Sequence, residues 1–294
     1  MFRFPAALAS HVAPTSRVPF TTLAILLTFS FTFTLVGSAT PARAVTAPTG
    51  FVVENALPGA ALSAPVQVLF LPDGRKLVVE QNGRIWTFLA DGTQVPTPFL
   101  DLQQKVLGNQ GRGLLGAAID PDFTTDPWVY VTYTVDPDSN GTDSEVYTWS
   151  RVERYRADGA DPNVADLSTR EILIGGDWPN GIPVLDTYHV IGMMKFAADG
   201  TLLIASGDAG RFNTVDTGGL DPGGFGPGKA DPAEDLGAFR SQTIDSMCGK
   251  ILRIDPDTGF GLPSNPYYDG DPTSNRSRVW HYGVRNAFRF DIRP

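Results

Sequence analysis

The stretch Tyr188–Gly210, YHVIGMMKFAADGTLLIASGDAG, decides the fold. It alternates toward Phe196, turns on Ala198-Asp199-Gly200, and returns through Leu202 to Ser206 into Gly207-Asp208. Alternation around an Asp-Gly turn predicts a β-hairpin. That hairpin carries a base, His189, at one end and a carboxylate, Asp208, at the other; His189 is one of only two histidines beyond the N-terminal leader.

The same grammar recurs on both sides. Upstream, Pro65–Leu71, Lys76–Gln81 and Arg84–Leu89 read as strands separated by Pro72-Asp73-Gly74 and Asn82-Gly83, connections whose chemistry suits tight hairpins. A second unit runs through Gly113–Ile119, the Asp120-Pro121-Asp122 turn, Trp128–Thr134, Ser150–Arg156 and Arg170–Ile174. Its first strand, GLLGAAI, is apolar and small, as strands crowded near a common axis must be. The third unit is the opening hairpin. Its next strand, Lys250–Asp255, arrives only after the excursion Gly207–Gly249, far longer than an ordinary connection of ~4–6 residues and so a candidate functional segment. Repeats of one small antiparallel sheet each predict an all-β fold of the β-propeller kind, with an open β-sandwich as the competing architecture. Three units are present and Arg285–Ile292 resembles the inner strand of a fourth. Propellers commonly close with ~4–8 blades, so the expectation is part of a ring.

Composition agrees: 42% hydrophobic, 19% charged, with 31 glycines and 24 prolines and no long helical pattern. Residues 1–44 hold Arg3 and Arg17, an apolar run from Phe20 to Val36, and Ala42-Arg43-Ala44, the features of a secretion signal cut after Ala44. An uncleaved membrane anchor is the competing reading, because the run nears the ~18 residues that span a bilayer. The expected organisation is a signal peptide over 1–44 and one domain over 45–294, secreted or periplasmic, with no membrane contact after cleavage. The leader holds three of the 23 basic residues and none of the 32 acids, leaving 20 basic residues and a net charge of −12. Such a chain is a poor partner for nucleic acid or anionic lipid. Cys248 is the single cysteine, which excludes an internal disulfide and a cysteine-built metal site.

Five motifs then stand in order: GRGLLGAAIDPDF (Gly111–Phe123), His189 with FAADGTLLIASGDAG, GKILRIDPDTG (Gly249–Gly259), LPSNPYYDGDP, and VWHYGVRNAFRF (Val279–Phe290). Together they resemble the soluble glucose/sorbosone dehydrogenase family, six-bladed propellers that use pyrroloquinoline quinone (PQQ), over roughly Val66–Pro294, about the first half of that family's domain. The resemblance implies an exported quinoprotein that oxidises a sugar or polyol hydroxyl by hydride transfer to the quinone, with Ca2+ beside the cofactor and an external electron acceptor. His189 matches the family's general base, a role that suits an imidazole near neutral pH. Arg285 and Asn286 match the residues that contact the quinone oxygens, where a guanidinium stabilises developing negative charge.

Two positions depart from the pattern. Tyr188 stands where the family usually has Asp or Asn, and Gly111 where it often has Gln or Glu, with Gln110 one residue away. Tyr188 and Gln110 are therefore the substrate candidates. The family's calcium-binding turn lies beyond the stretch this chain matches. Asp208 is the remaining metal candidate, against the commoner role of a turn-capping aspartate. The segment DPDSNG (Asp136–Gly141) matches the first half of a calcium loop, but Tyr147 stands where the bidentate Glu belongs, so it reads as a β-turn. His281, within an alternating aromatic run, reads as structural. Gly218–Gly228 lacks the Lys-Ser/Thr and helix of a phosphate cradle and reads as a surface loop on the His189 face. Two further classes compete with the dehydrogenase: a non-catalytic propeller that binds carbohydrate or protein, and a calcium-dependent sugar lactonase, whose acidic metal cluster cannot be assembled from these residues.

Overall fold

Three antiparallel sheets are laid down in chain order, and the inner strands of the middle one are buried on both faces. The computed structural model describes residues 47–143 and 145–293. The leader assigned to 1–44 lies outside them. All three sheets belong to the unit Glu54–Pro294.

The first sheet runs β1 (Pro65–Phe70), β2 (Lys76–Glu80), β3 (Arg84–Phe88) and β4 (Leu100–Asp101), in that order. In the second, β5 (Leu114–Ile119), β6 (Trp128–Thr134), β7 (Thr148–Ala157) and β8 (Ala165–Ile174) follow one another, and β9 (Ile182–Val184) pairs with the start of β7. The third contains β10 (Ile191–Phe196), β11 (Leu202–Ser206), β12 (Lys250–Ile254) and β13 (Val279–Tyr282). No α-helix occurs among the described residues, and none there is long and apolar enough to cross a membrane.

The strand period explains how the sheets stack. All seven residues of β6 are buried. Val129, Val131 and Tyr133 enter the core shared with the first sheet, whereas Trp128 and Tyr130 enter the core shared with the third. Alternate side chains leave opposite faces of a strand, so a continuous apolar run marks a sheet covered on both sides. The small residues of β5 act as expected: a Cβ on Gly116 would stand 2.6 Å from the carbonyl oxygen of Gly192, so β10 could not approach a larger residue there. Across the other junction Gln67 copies a backbone pair, its Nε2 donating to Ala117 O and its Oε1 accepting from Ala117 N, both at 2.9 Å.

Predicted and observed strands of the first sheet agree to within one residue, while β4, β9 and β13 are too short or irregular to announce themselves. One expectation fails: Arg285–Ile292 is not a strand. The Met193 amide donates to Phe288 O at 3.2 Å and the Asp208 amide to Arg285 O at 2.9 Å. These isolated bonds hold the segment against β10 and the end of β11, but no antiparallel neighbour among the described residues offers it a ladder.

The turn of the deciding hairpin is fixed by Asp199. Its carboxylate accepts from Thr201 N at 3.1 Å and Thr201 Oγ1 at 2.7 Å, and pairs with Arg253 at 2.7 Å. These bonds, Thr201 first and Arg253 next, hold its carboxyl down at about 2. A carboxyl depressed in the folded state contributes stability above its unfolded value, and loses it as pH falls through the folded one. Asp199→Asn should therefore lower the urea midpoint at pH 6, modestly because the group is half exposed. The gap between variant and parent should narrow below pH 4 and be smallest near pH 2; a gap that widens there would contradict the assignment.

Candidate active site

Backbone pairing around the β10–β11 hairpin brings the predicted base and carboxylate together. The Gly207 amide donates to Val190 O at 2.9 Å and the Ala209 amide to His189 O at 3.0 Å, extending the ladder beyond the formal strand ends. His189 Nδ1 thereby meets Asp208 Oδ1 at 3.0 Å. The carboxylate is 2% exposed and the imidazole 10%. An ionised carboxylate only accepts, so Nδ1 carries the proton and Nε2 presents its lone pair; among the described residues Nε2 has no hydrogen-bond partner.

Asp208 is the hub. Oδ1 also accepts from the Gly210 amide at 2.9 Å, and Oδ2 pairs with Arg285 Nη1 at 3.3 Å. Both oxygens thus meet donors that orient a base and a guanidinium. Arg285 Nη2 donates to Arg211 O at 3.2 Å, yet the side chain remains 52% exposed. Asn286 beside it is exposed. Of the five non-glycine residues with left-handed backbone among the described residues, three belong here: Gln110 (φ 55°), His189 (φ 55°) and Ala209 (φ 52°). Such conformations persist only where surroundings over-determine them, and they concentrate at functional sites.

The substrate candidates also lie at this place. Gln110 Oε1 accepts from the Thr187 hydroxyl, and Tyr188 follows Thr187 into an aromatic contact with Phe212. His281 stands exposed on β13, opposite Ile251.

Two supporting residues escaped the sequence reading. Arg240, fully buried, donates from Nε to Asp208 O at 3.1 Å and from Nη2 to Ala209 O at 2.9 Å. Lys250, also fully buried, donates from Nζ to Arg240 O, Ser241 O and Cys248 O at 2.9, 3.1 and 2.6 Å; burial pushes its ammonium down to about 8. Together they pin the Gly207–Gly249 excursion under the Asp208 turn. A signal for Lys250 was present, since period two puts it on the same face as Leu252 and Ile254, which are both buried. Arg240 had none, because it lies in the 3-10 turn Gly237–Gln242, outside any strand pattern.

The DPDSNG segment is a turn: Asp136 Oδ1 accepts from Ser139 N at 3.2 Å and Oδ2 from Gly141 N at 2.8 Å. Carboxylate oxygens of Asp136, Asp138 and Glu145 lie within 4.8 Å of one another, and burial raises the Asp136 carboxyl. Acidic groups so arranged are common without an ion, and none is assigned.

The family model for glucose/sorbosone dehydrogenase matches residues 62–294. The chain is 25% identical over 253 residues to the human (Homo sapiens) Hedgehog-interacting protein, covering 81% of this chain and 31% of that protein. It is 25% identical over 227 residues to quinoprotein glucose dehydrogenase B of Acinetobacter calcoaceticus, covering 76% and 43% respectively. Among solved structures, a putative oxidoreductase (glucose dehydrogenase) of Thermus thermophilus superposes with a TM-score of 0.53 at 27% identity, covering 79% of this chain and 54% of that one. The chain thus spans between 31% and 54% of the length of these relatives. With the family model matched from the first strand to the last described residue, and the His189, Arg285 and Asn286 motifs inside the match, the chain belongs to the glucose/sorbosone dehydrogenase family.

Proposed function

We propose that this domain is the N-terminal part of an exported six-bladed propeller quinoprotein, its three sheets being three blades, that oxidises a hydroxyl of a sugar or related polyol. The single observation that supports this most is the His189–Asp208–Arg285 chain: a proton acceptor with one nitrogen free, a buried carboxylate fixing its tautomer, and a half-exposed guanidinium on the same carboxylate. Asp208 Oδ1 holds the Nδ1 proton, so His189 Nε2 takes the proton of a substrate hydroxyl. As that proton arrives the ring becomes cationic, and the buried carboxylate stabilises the charge.

The exposed Arg285 and Asn286 suit an o-quinone bearing carboxylates, because a guanidinium and an amide supply donors to both kinds of oxygen. They would hold PQQ by those oxygens. When bound, the quinone supplies the acceptor for the hydrogen and electron pair that leave the alcohol carbon. No step written here depends on calcium. An external acceptor would then reoxidise the cofactor.

Reconstitution tests this reading. Full-length protein with PQQ and Ca2+ should show a change in the quinone's absorption on binding and should reduce an artificial dye when aldoses are added. Saturable absorption change without sugar-dependent dye reduction would sink the enzyme assignment. The likeness to Hedgehog-interacting protein favours a second reading, a propeller that binds carbohydrate or protein without turnover, and absence of any spectral change on quinone titration would select it.

A further inference from the structure

The two departures from the family pattern meet in space. A Cβ on Gly111 would stand 2.9 Å from Cδ1 of Tyr188 and 2.9 Å from the carbonyl oxygen of Thr187. The Gly111 amide donates to that same carbonyl at 3.0 Å, so the backbone cannot draw back without losing the bond. A side chain at position 111 and the Tyr188 ring therefore compete for one volume, and glycine is what lets the ring lie there.

The ring then meets a second one. Tyr188 and Phe212 pack edge to face, with centroids 4.4 Å apart and planes inclined by 61°. Phe212 is 53% exposed, and the Tyr188 hydroxyl makes no hydrogen bond among the described residues. Phe212 follows Arg211, whose carbonyl accepts from Arg285, and Tyr188 precedes His189. The pair thus joins the chain segment that carries the proton acceptor to the one whose carbonyl holds Arg285. In place of two polar side chains, it offers a low-polarity surface with one free phenol. Ligand sites commonly combine such apolar walls with a few placed polar groups. The matching surface on a sugar is the C–H face of its ring, with hydroxyls projecting from the edge.

We propose that Tyr188 and Phe212 form an aromatic platform for the C–H face of a pyranose, setting a ring hydroxyl toward His189, and that Gly111 is the residue that makes room for it. The proposal rests on the reading of His189 as proton acceptor. It assigns Phe212, which no sequence motif marks, a specificity-determining role.

Saturation-transfer NMR with methyl β-D-glucopyranoside tests it on protein without cofactor. Irradiation of aromatic resonances should saturate the ring C–H protons of the glycoside. Phe212→Ala and Tyr188→Ala should each weaken binding by about three- to tenfold, the usual worth of an aromatic contact, and Tyr188→Phe should retain the transfer. Because Phe212 is exposed, loss in its variant does not reflect unfolding, which circular dichroism would verify. No transfer in the parent, or equal transfer in parent and Phe212→Ala, overturns the proposal. With cofactor present, the Phe212→Ala loss should fall on KM rather than kcat. Saturation transfer without turnover would keep the platform and sink the dehydrogenase reading. Turnover with an unchanged KM in Phe212→Ala would do the reverse.

Discussion

His189→Ala is expected to lower kcat for sugar-dependent dye reduction by about 10²–10⁴-fold, the range for a positioned general base, while the melting temperature stays close to that of the parent. The first half follows from the free Nε2 and the held Nδ1: no other described residue at the site combines an unprotonated nitrogen with a fixed orientation. The second follows from the hydrogen-bond pattern. The backbone bonds that place this residue, Ala209 N to His189 O and Gly207 N to Val190 O, do not involve the imidazole. Asp208 would keep its bonds to Gly210 and Arg285. Steady-state kinetics on protein of matched quinone content, alongside a thermal melt, gives both numbers. Turnover within about tenfold of the parent would remove His189 from the proton-transfer step, since one tenfold corresponds to only about 1.4 kcal/mol.

Asp208→Asn should separate orientation from packing. The amide is nearly isosteric, and its oxygen can still accept from Gly210 N, so the fold should lose no more than about 1 kcal/mol. Two things change at once. Because His189 Nδ1 and Gly210 N share Oδ1, an amide oxygen kept there turns its NH2 toward Arg285, and the counter-charge for Arg285 and for a protonated imidazole disappears. A turnover loss of about 10²–10⁴-fold is expected, comparable to the effect of neutralising the base-orienting aspartate in a Ser-His-Asp triad. The loss should appear in kcat with KM moved far less, read from initial rates over a range of aldose concentrations. An unchanged kcat together with a lowered melting temperature would reduce Asp208 to a turn cap.

The strands were legible where the code is local. Alternation and Asp-Gly or Asn-Gly turns placed β1, β2, β3, β10 and β11 because side-chain period and turn chemistry act within a few residues. Arg285–Ile292 carries the same alternation yet is not a strand, for a ladder needs a neighbour and its own residues cannot supply one. In the site, His189, Arg285 and Asn286 could be named from motifs. The part played by Asp208 could not, since a carboxylate after Gly207 reads equally as a cap, a metal ligand or a partner for a base. Only the β10–β11 register, with Ile191 opposite Ser206, brings it beneath the imidazole.

By itself, then, the sequence determined an all-β chain of repeated sheets and the family to which it belongs, because hydrophobic period, turn residues and motif order are properties of the chain read along its length. The tertiary structure alone decided which charges are shared: that one buried carboxylate serves both His189 and Arg285, that Arg240 and Lys250 brace it from below, and that Gly111 yields its space to Tyr188 and, through it, to Phe212. The reason is distance. Arg285 lies 77 positions from Asp208 in the chain, and a contact of about 3 Å between such groups is set by strand register and by what the long excursion folds back upon, neither of which any local pattern encodes.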